Sequence, residues 1–170
     1  MTAIAVTEGL VSDESILDVA RNFGGVEHRI ELVRVKDGVR FYNDSIASSP
    51  SRTIAGLRSF PEQVILIAGG YDKHIPYDVL GPEICAHVKK LFLTGATAEK
   101  IHKAVTDAVE YSEGNPEITY VEEFDDCVRA AAAAAQAGDV VLMSPASASF
   151  DKFKNFMVRG NTFKQLVKEL

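Results

Sequence analysis

The sequence predicts a three-layer α/β domain built on a mostly parallel, Rossmann-like sheet, and three observations predict it. Val64-Ile65-Leu66-Ile67-Ala68 and Val140-Val141-Leu142-Met143 are short, unbroken apolar runs of the kind that form strands covered on both faces. Helical patterns separate the candidate strands, which is the grammar of right-handed strand–helix–strand crossovers. Both strong runs stop abruptly at small or polar residues, Gly69-Gly70 and Ser144-Pro145. Open α/β sheets place their ligands there, beyond the carboxyl ends of the strands.

Taken in order, Ala3-Ile4-Ala5-Val6 reads as the end of an apolar element with no visible beginning. Ser12 suits a helix N-cap, Asp13 and Glu14 suit the positive end, and Gly24-Gly25 stop the helix near Phe23. Its stripe of Ile16, Leu17, Val19 and Ala20 cannot be buried by one helix alone. Residues 1–29 are therefore expected to be the tail of a preceding domain, and residues 30–170 a domain of their own. From Ile30 the pattern alternates to Val35, turns at Lys36-Asp37-Gly38, and alternates again from Val39 to Tyr42, which predicts a hairpin. Leu91–Leu93 and Ile118–Val121 are weaker strand candidates. Helices are expected at about 51–59, 77–86, 98–109, 124–137 and 152–169. Six consecutive alanines, Ala130 to Ala135, favour a helix that lies close to a sheet, and Gly138 is its expected stop.

Composition narrows the function. A net charge of -6 runs against a nucleic-acid footprint, which needs clustered Lys and Arg; Lys152, Lys154 and Arg159 make only a short local cluster. Cys85 and Cys127 are too few and too far apart for a metal site or a disulfide framework, and His74, His87 and His102 lack metal spacing. No apolar run reaches the ~20 residues that span a bilayer, so a cytoplasmic protein without membrane partners is expected. Neither a P-loop nor a G-x-G-x-x-G fingerprint occurs, so the main phosphate cradle for a nucleotide is not in this chain.

If the strands are parallel, three polar segments share one edge: Asn43 to Pro50, Gly69 to Lys73, and Ser144 to Ser149. The last reads as the polar floor of a pocket for a small anion. Lys73 is either a solvated lysine or a point charge for a carboxylate or phosphate. Asp44 fits an Asx turn or helix cap as well as a ligand contact, and Ser144 and Ser149 fit backbone bonding as well as ligand binding. His28 and Arg29 stand at the expected domain junction, where clefts commonly bind ligands. No histidine accompanies either serine in a nucleophile motif.

Together, Gly25-Val26-Glu27-His28-Arg29, Tyr42-Asn43-Asp44-Ser45, Gly69-Gly70-Tyr71-Asp72-Lys73, and Ser144-Pro145-Ala146-Ser147-Ala148-Ser149-Phe150-Asp151 through Lys154-Asn155-Phe156 and Arg159-Gly160 resemble the carboxyl-terminal domain of the Mur ligases. The last segment is the most specific and is similar to the D-glutamate-adding branch. The resemblance covers that whole domain and the final helix of the ATPase domain before it. It implies a ligase that uses ATP and Mg²⁺, bound mainly by the preceding domain, to activate UDP-N-acetylmuramoyl-L-alanine for attack by D-glutamate in peptidoglycan synthesis. The resemblance further implies that Lys73 and Ser48 hold one carboxylate of D-glutamate and that Ser149, Phe150 and Phe156 border the other. Arg29 and Asp44 would contact ATP, with His28 beside them; no catalytic residue and no metal ligand is expected within the chain. Relatives often carry Thr at the position of Ser48 and Lys at that of Ile46. A stand-alone dicarboxylate-binding module and the matching domain of a folate polyglutamate ligase are the alternatives.

Overall fold

A computed structural model of the chain describes residues 9–170; the apolar stretch Ala3 to Val6 lies outside them. The first helix, α1 (Asp13–Asn22), forms where its local signals put it, with Ser12 Oγ accepting the Ser15 amide at 3.3 Å. None of its residues is buried. Strands β1 (Glu31–Lys36) and β2 (Val39–Asn43) make the expected hairpin. Lys36 pairs with Val39, and Asp37 and Gly38 turn the chain with φ of 51° and 79°, both positive as a two-residue type I′ turn requires.

The chain continues through α2 (Pro50–Leu57), β3 (Val64–Ala68), α3 (Leu80–His87), β4 (Val88–Leu93), α4 (Ala98–Thr106), β5 (Glu117–Tyr120), α5 (Phe124–Ala133), β6 (Val140–Met143) and α6 (Phe156–Glu169). The six strands lie in the order β1-β2-β6-β3-β4-β5. Only the β1–β2 pair is antiparallel. Every residue of β3 and β6 is buried, as their unbroken apolar composition demands.

The pleat sends alternate residues into two cores. Leu66 and Leu91 join Leu57, Leu80, Ile84 and Ile101 on the face covered by α2, α3 and α4. Ile65, Ile67 and Phe92 join Phe124, Val128, Phe163 and Val167 on the face covered by α5 and α6. Each large side chain so buried contributes about 1.5–3 kcal/mol. Cys85 and Cys127 are free and buried. Burial pushes the Cys127 thiol up to about 12, against a smaller opposing pull from Lys152, so it stays protonated and inert.

Some expected boundaries move. Helix α3 begins at Leu80, after a turn in which the Leu80 amide meets the Tyr77 carbonyl. Helix α4 ends at Thr106, and α5 stops at Ala133 inside the alanine run. Gly138, with φ of 97°, instead makes the turn into β6. Strand β4 starts at Val88, so that Lys89 and Lys90 are strand residues. The last helix begins at Phe156 rather than Lys152 because Asn155 caps it, its side chain accepting the Val158 amide at 2.9 Å. Among the described residues no helix is long and apolar enough to cross a membrane.

This order fixes the functional edge. Strand β6 lies between β2 and β3. The chain leaves β2 and β3 for helices on one face but leaves β6 for α6 on the other. Loops that part in this way open a crevice at the carboxyl end of the sheet.

Candidate functional site

The three polar segments meet at that crevice. The Gly69 amide donates to the Pro145 carbonyl at 2.8 Å, and the Tyr71 amide donates to that of Ala148 at 2.9 Å. Glycine is required for this approach: a Cβ on Gly70 would stand 2.3 Å from the Ala148 oxygen, and its φ is 147°. A Cβ on Gly69 would lie 1.9 Å from the Thr94 oxygen.

Arg159 pins the assembly from below. It is 2 % exposed, and its guanidinium donates to Ser45 O at 2.9 Å, Ser45 Oγ at 3.1 Å, Ser147 O at 3.0 Å and Ala148 O at 3.0 Å. All four acceptors are neutral. Burial lowers its pKa to about 10, with Asp151 opposing the shift, so it remains a cation at neutral pH. The five donors of a guanidinium in one plane suit this task as no lysine would.

Two serines serve the same purpose. Ser144 Oγ lies 2.7 Å from Asp44 Oδ2 and 3.0 Å from Thr53 Oγ1. Ser147 Oγ lies 2.8 Å from Tyr77 Oη and 2.7 Å from Thr97 Oγ1. The expected pocket floor is thus largely an internal strut, because hydroxyls enclosed by protein must find protein partners. Ser149 differs: its carbonyl accepts the Lys152 and Phe153 amides, at 3.2 and 2.8 Å, while no bond from its hydroxyl to the described residues is formed.

Beside the first loop lies a cleft of about 270 Å³ lined by Arg29, Ile30, Asp44, Ile46, Arg52 and Gly56, among others. Asp44 forms part of its floor and is buried. Oδ1 accepts the Ile30 amide at 3.3 Å, and Oδ2 takes Ser144. Burial dominates and raises its pKa to about 6, although Ser144, the Ile30 amide, Arg29 and Arg52 all favour the charged form. A hydroxyl-accepting carboxylate between two arginines suits a polyol that carries phosphate.

Glu27, His28 and Glu31 bring possible metal-ligating atoms together. Lys164 already occupies this cluster, with Nζ at 2.5 Å from Glu27 and 3.2 Å from Glu31. Its hydrogen bond holds the Glu27 carboxyl below the usual range. In Glu31 burial opposes, but the His28 amide and Lys164 still bring the pKa down. The Lys164 ammonium competes with any cation for these two carboxylates.

Residues 28–147 match the family described as "Mur ligase, glutamate ligase domain". The chain belongs to the Mur ligase family. It is 55% identical over 172 residues to the UDP-N-acetylmuramoylalanine–D-glutamate ligase of Acetivibrio thermocellus, covering 100% of this chain and 37% of that protein. The enzyme of the same name from Clostridium beijerinckii is 53% identical over 171 residues, with the same shares of each chain. The chain thus spans little more than a third of these relatives. Among solved structures, a bifunctional folylpolyglutamate synthase/dihydrofolate synthase from Yersinia pestis superposes with a TM-score of 0.61 at 14% identity, over 94% of this chain and 34% of that one. A murein peptide ligase from Psychrobacter arcticus gives 0.51 at 18% identity, over 95% and 35%. These likenesses show a shared fold.

Within this Mur ligase domain, the residues singled out from sequence fall into two groups. Lys73 is exposed on the second loop and makes no ion pair among the described residues, whereas its neighbour Asp72 is held by Lys100 Nζ at 2.6 Å. Phe150 is exposed, and its ring meets that of Tyr71 edge-on, with centroids 5.9 Å apart. Ser48 is half-buried in the first loop, and Phe156 opens α6. Arg29 lines the cleft with Asp44. His28 turns the other way: it is buried, and its Nδ1 lies 2.9 Å from Asn43 Nδ2. Its ring lies edge-on to Phe156 at 5.8 Å and occupies the space that a Cβ on Gly160 would need. Sequence reasoning counted Arg159 in a short local basic cluster and quoted it in the family resemblance, but gave it no role. The available signal was Gly160 beside it, which marks a close approach on that side of the helix.

Proposed function

We propose that this chain is the amino-acid-binding domain of a cytoplasmic ligase joining D-glutamate to UDP-N-acetylmuramoyl-L-alanine, closing over ATP during peptidoglycan synthesis. Residues 1–29 would belong to the preceding ATPase domain. One observation carries the reading: three loops meet at the crevice on the carboxyl edge, pinned by Arg159, while Lys73 and Ser149 keep uncommitted polar groups there. The identity to D-glutamate ligases favours this branch over the folate enzymes, which share only the fold.

The chemistry follows from the charges. D-Glutamate carries two carboxylates and one amine. In this reading Lys73 and Ser48 hold one carboxylate, and Ser149 donates to the other beside Phe150 and Phe156. The amine is left without a partner, so that once deprotonated it is the nucleophile. Its attack on an acyl phosphate held by the rest of the enzyme forms the amide and releases phosphate. Fixing the amine near that carbonyl makes the step effectively unimolecular. Asp44 would accept bonds from the ribose hydroxyls, and Arg29 would meet the nucleotide, with His28 supporting the segment from inside. ATP suits the cleft's donor set. Mg²⁺, which the family's reaction requires, would be held outside this domain.

The test is a titration of the chain with D-glutamate, following the backbone amides of Lys73, Ser149 and Phe156. Saturable shifts at all three are expected. A Lys73→Ala variant should bind roughly 10–150-fold more weakly, the loss of one charge-assisted bond. Silence at these amides, or ATP turnover by the chain alone, would overturn this division of labour.

A further inference from the structure

The hydroxyl of Ser144 joins two regions that the proposed function keeps apart. Ser144 opens the third loop, which carries Ser149, yet its Oγ touches Asp44 in the cleft and Thr53 on α2. All three residues are buried. The Thr53 hydroxyl also reaches the Ser144 carbonyl, at 3.3 Å. The close approach of α2 is needed here, since a Cβ on Gly56 would stand 3.0 Å from Asp44 Oδ2.

Counting protons shows what this arrangement does. An ionised carboxylate only accepts, so Ser144 gives its single proton to Asp44. Thr53 then keeps its own for the Ser144 carbonyl or Oγ. A protonated Asp44 is a donor, and its proton points back at Ser144 Oγ. The Ser144 hydrogen must then leave that direction, and the acceptor within reach is Thr53 Oγ1 at 3.0 Å. Solvent supplies the one proton that Asp44 gains, and the chain of donors reverses.

We propose that Ser144 is a positioning residue, a hydrogen-bond relay through which the charge state of Asp44 sets the conformation at the start of the Ser149 loop. The influence is reciprocal, as any linkage between two sites must be. Its use in catalysis rests on the function proposed above: a hydroxyl donor bound at Asp44 would act on the relay, reporting nucleotide occupancy to the amino-acid loop. The charged groups facing Asp44 are Arg29 from the junction and Arg52 from α2; the third loop contributes only Ser144. Asp44 is the one carboxyl among the residues that line this cleft. Its expected midpoint is about 6.

The experiment is a pH titration of the chain by carbon-detected NMR, reading the Asp44 carboxyl together with the amides of Ser144, Ala146 and Ser149. In the wild-type chain the loop amides should inflect at the Asp44 midpoint. In Ser144→Ala the carboxyl loses a donor to its charged form, so the midpoint should rise by half a unit or more and the shared inflection should vanish from Ser149. Ser144→Thr, which keeps the hydroxyl, should restore both. Loop amides that ignore the Asp44 midpoint in the wild-type chain overturn the relay even if no variant folds. An unmoved midpoint in folded Ser144→Ala overturns it equally. ATP is added separately: a working relay with no response to ATP at Asp44 would remove the nucleotide reading and leave the relay standing.

Discussion

The second and third loops leave adjacent strands at the same edge of the sheet, yet they are built in opposite ways. The third loop is buried from Ser144 to Ser149. Its carbonyls are taken by Arg159, two of its hydroxyls by buried partners, and Ala146 is held at φ of 55°. The second loop, from Tyr71 to His74, is largely exposed and is tied down mainly through its glycines and Asp72. A rigid wall thus faces an adaptable arm. The contrast teaches that buried polar groups fix the third loop in place, while the second keeps its lysine in solvent, where the proposed function would use it.

The sharpest way to break this contrast is at Arg159. Arg159→Met should destabilise the chain by roughly 4 kcal/mol or more, because three buried carbonyl oxygens lose their donors at about 1–3 kcal/mol each. Urea unfolding measures it, and a loss below about 1 kcal/mol would mean that the third loop is not built on this residue. Gly70→Ala probes where the two loops meet. It should cost roughly 3 kcal/mol, from strain at an unfavourable φ plus the clash with the Ala148 oxygen, and should broaden the amide signals of both loops.

Asp44→Asn should act in the opposite direction. The native carboxyl titrates at about 6, well above its ordinary value. The native state therefore binds this proton more tightly than the unfolded chain. The resulting stability is fully present below about pH 4 and is lost as pH rises through about 6. An asparagine mimics the protonated acid, so the variant should gain roughly 2–3 kcal/mol at pH 8 and nothing at pH 4. Melting curves at the two pH values decide it, and an equal effect at both would separate Asp44 from the pH dependence. Lys73→Ala should change stability least, within about 0.5 kcal/mol. On the proposed function it should nonetheless lose D-glutamate affinity, and a loss of affinity without a loss of stability would sharpen the distinction between wall and arm.

Much of the fold was legible because its signals are local. The hairpin turn at Asp37-Gly38, the Ser12 cap, and the unbroken runs of β3 and β6 each follow from neighbouring residues alone. The loops' convergence was legible too, since parallel strands leave few other places for their carboxyl ends. Errors arose where a distant partner decides. Lys152 to Lys154 have a helix-compatible composition, but the Ser149 carbonyl takes the amides of Lys152 and Phe153, and Asn155 caps a later start. The alanine run favours helix throughout, yet the chain must turn at Gly138 to enter β6. The stretch Ser144 to Ser149 read as a pocket floor because a hydroxyl's partner lies many residues away and leaves no trace in spacing.

The sequence by itself determined the layered α/β architecture, the parallel sheet and the edge at which its polar loops gather, because apolar periodicity and glycine turns act over a few residues. Tertiary structure alone decided which polar groups became struts and which stayed free. A guanidinium or hydroxyl is equally content with water or with protein, and only the burial imposed by strand order and helix packing removes the first choice.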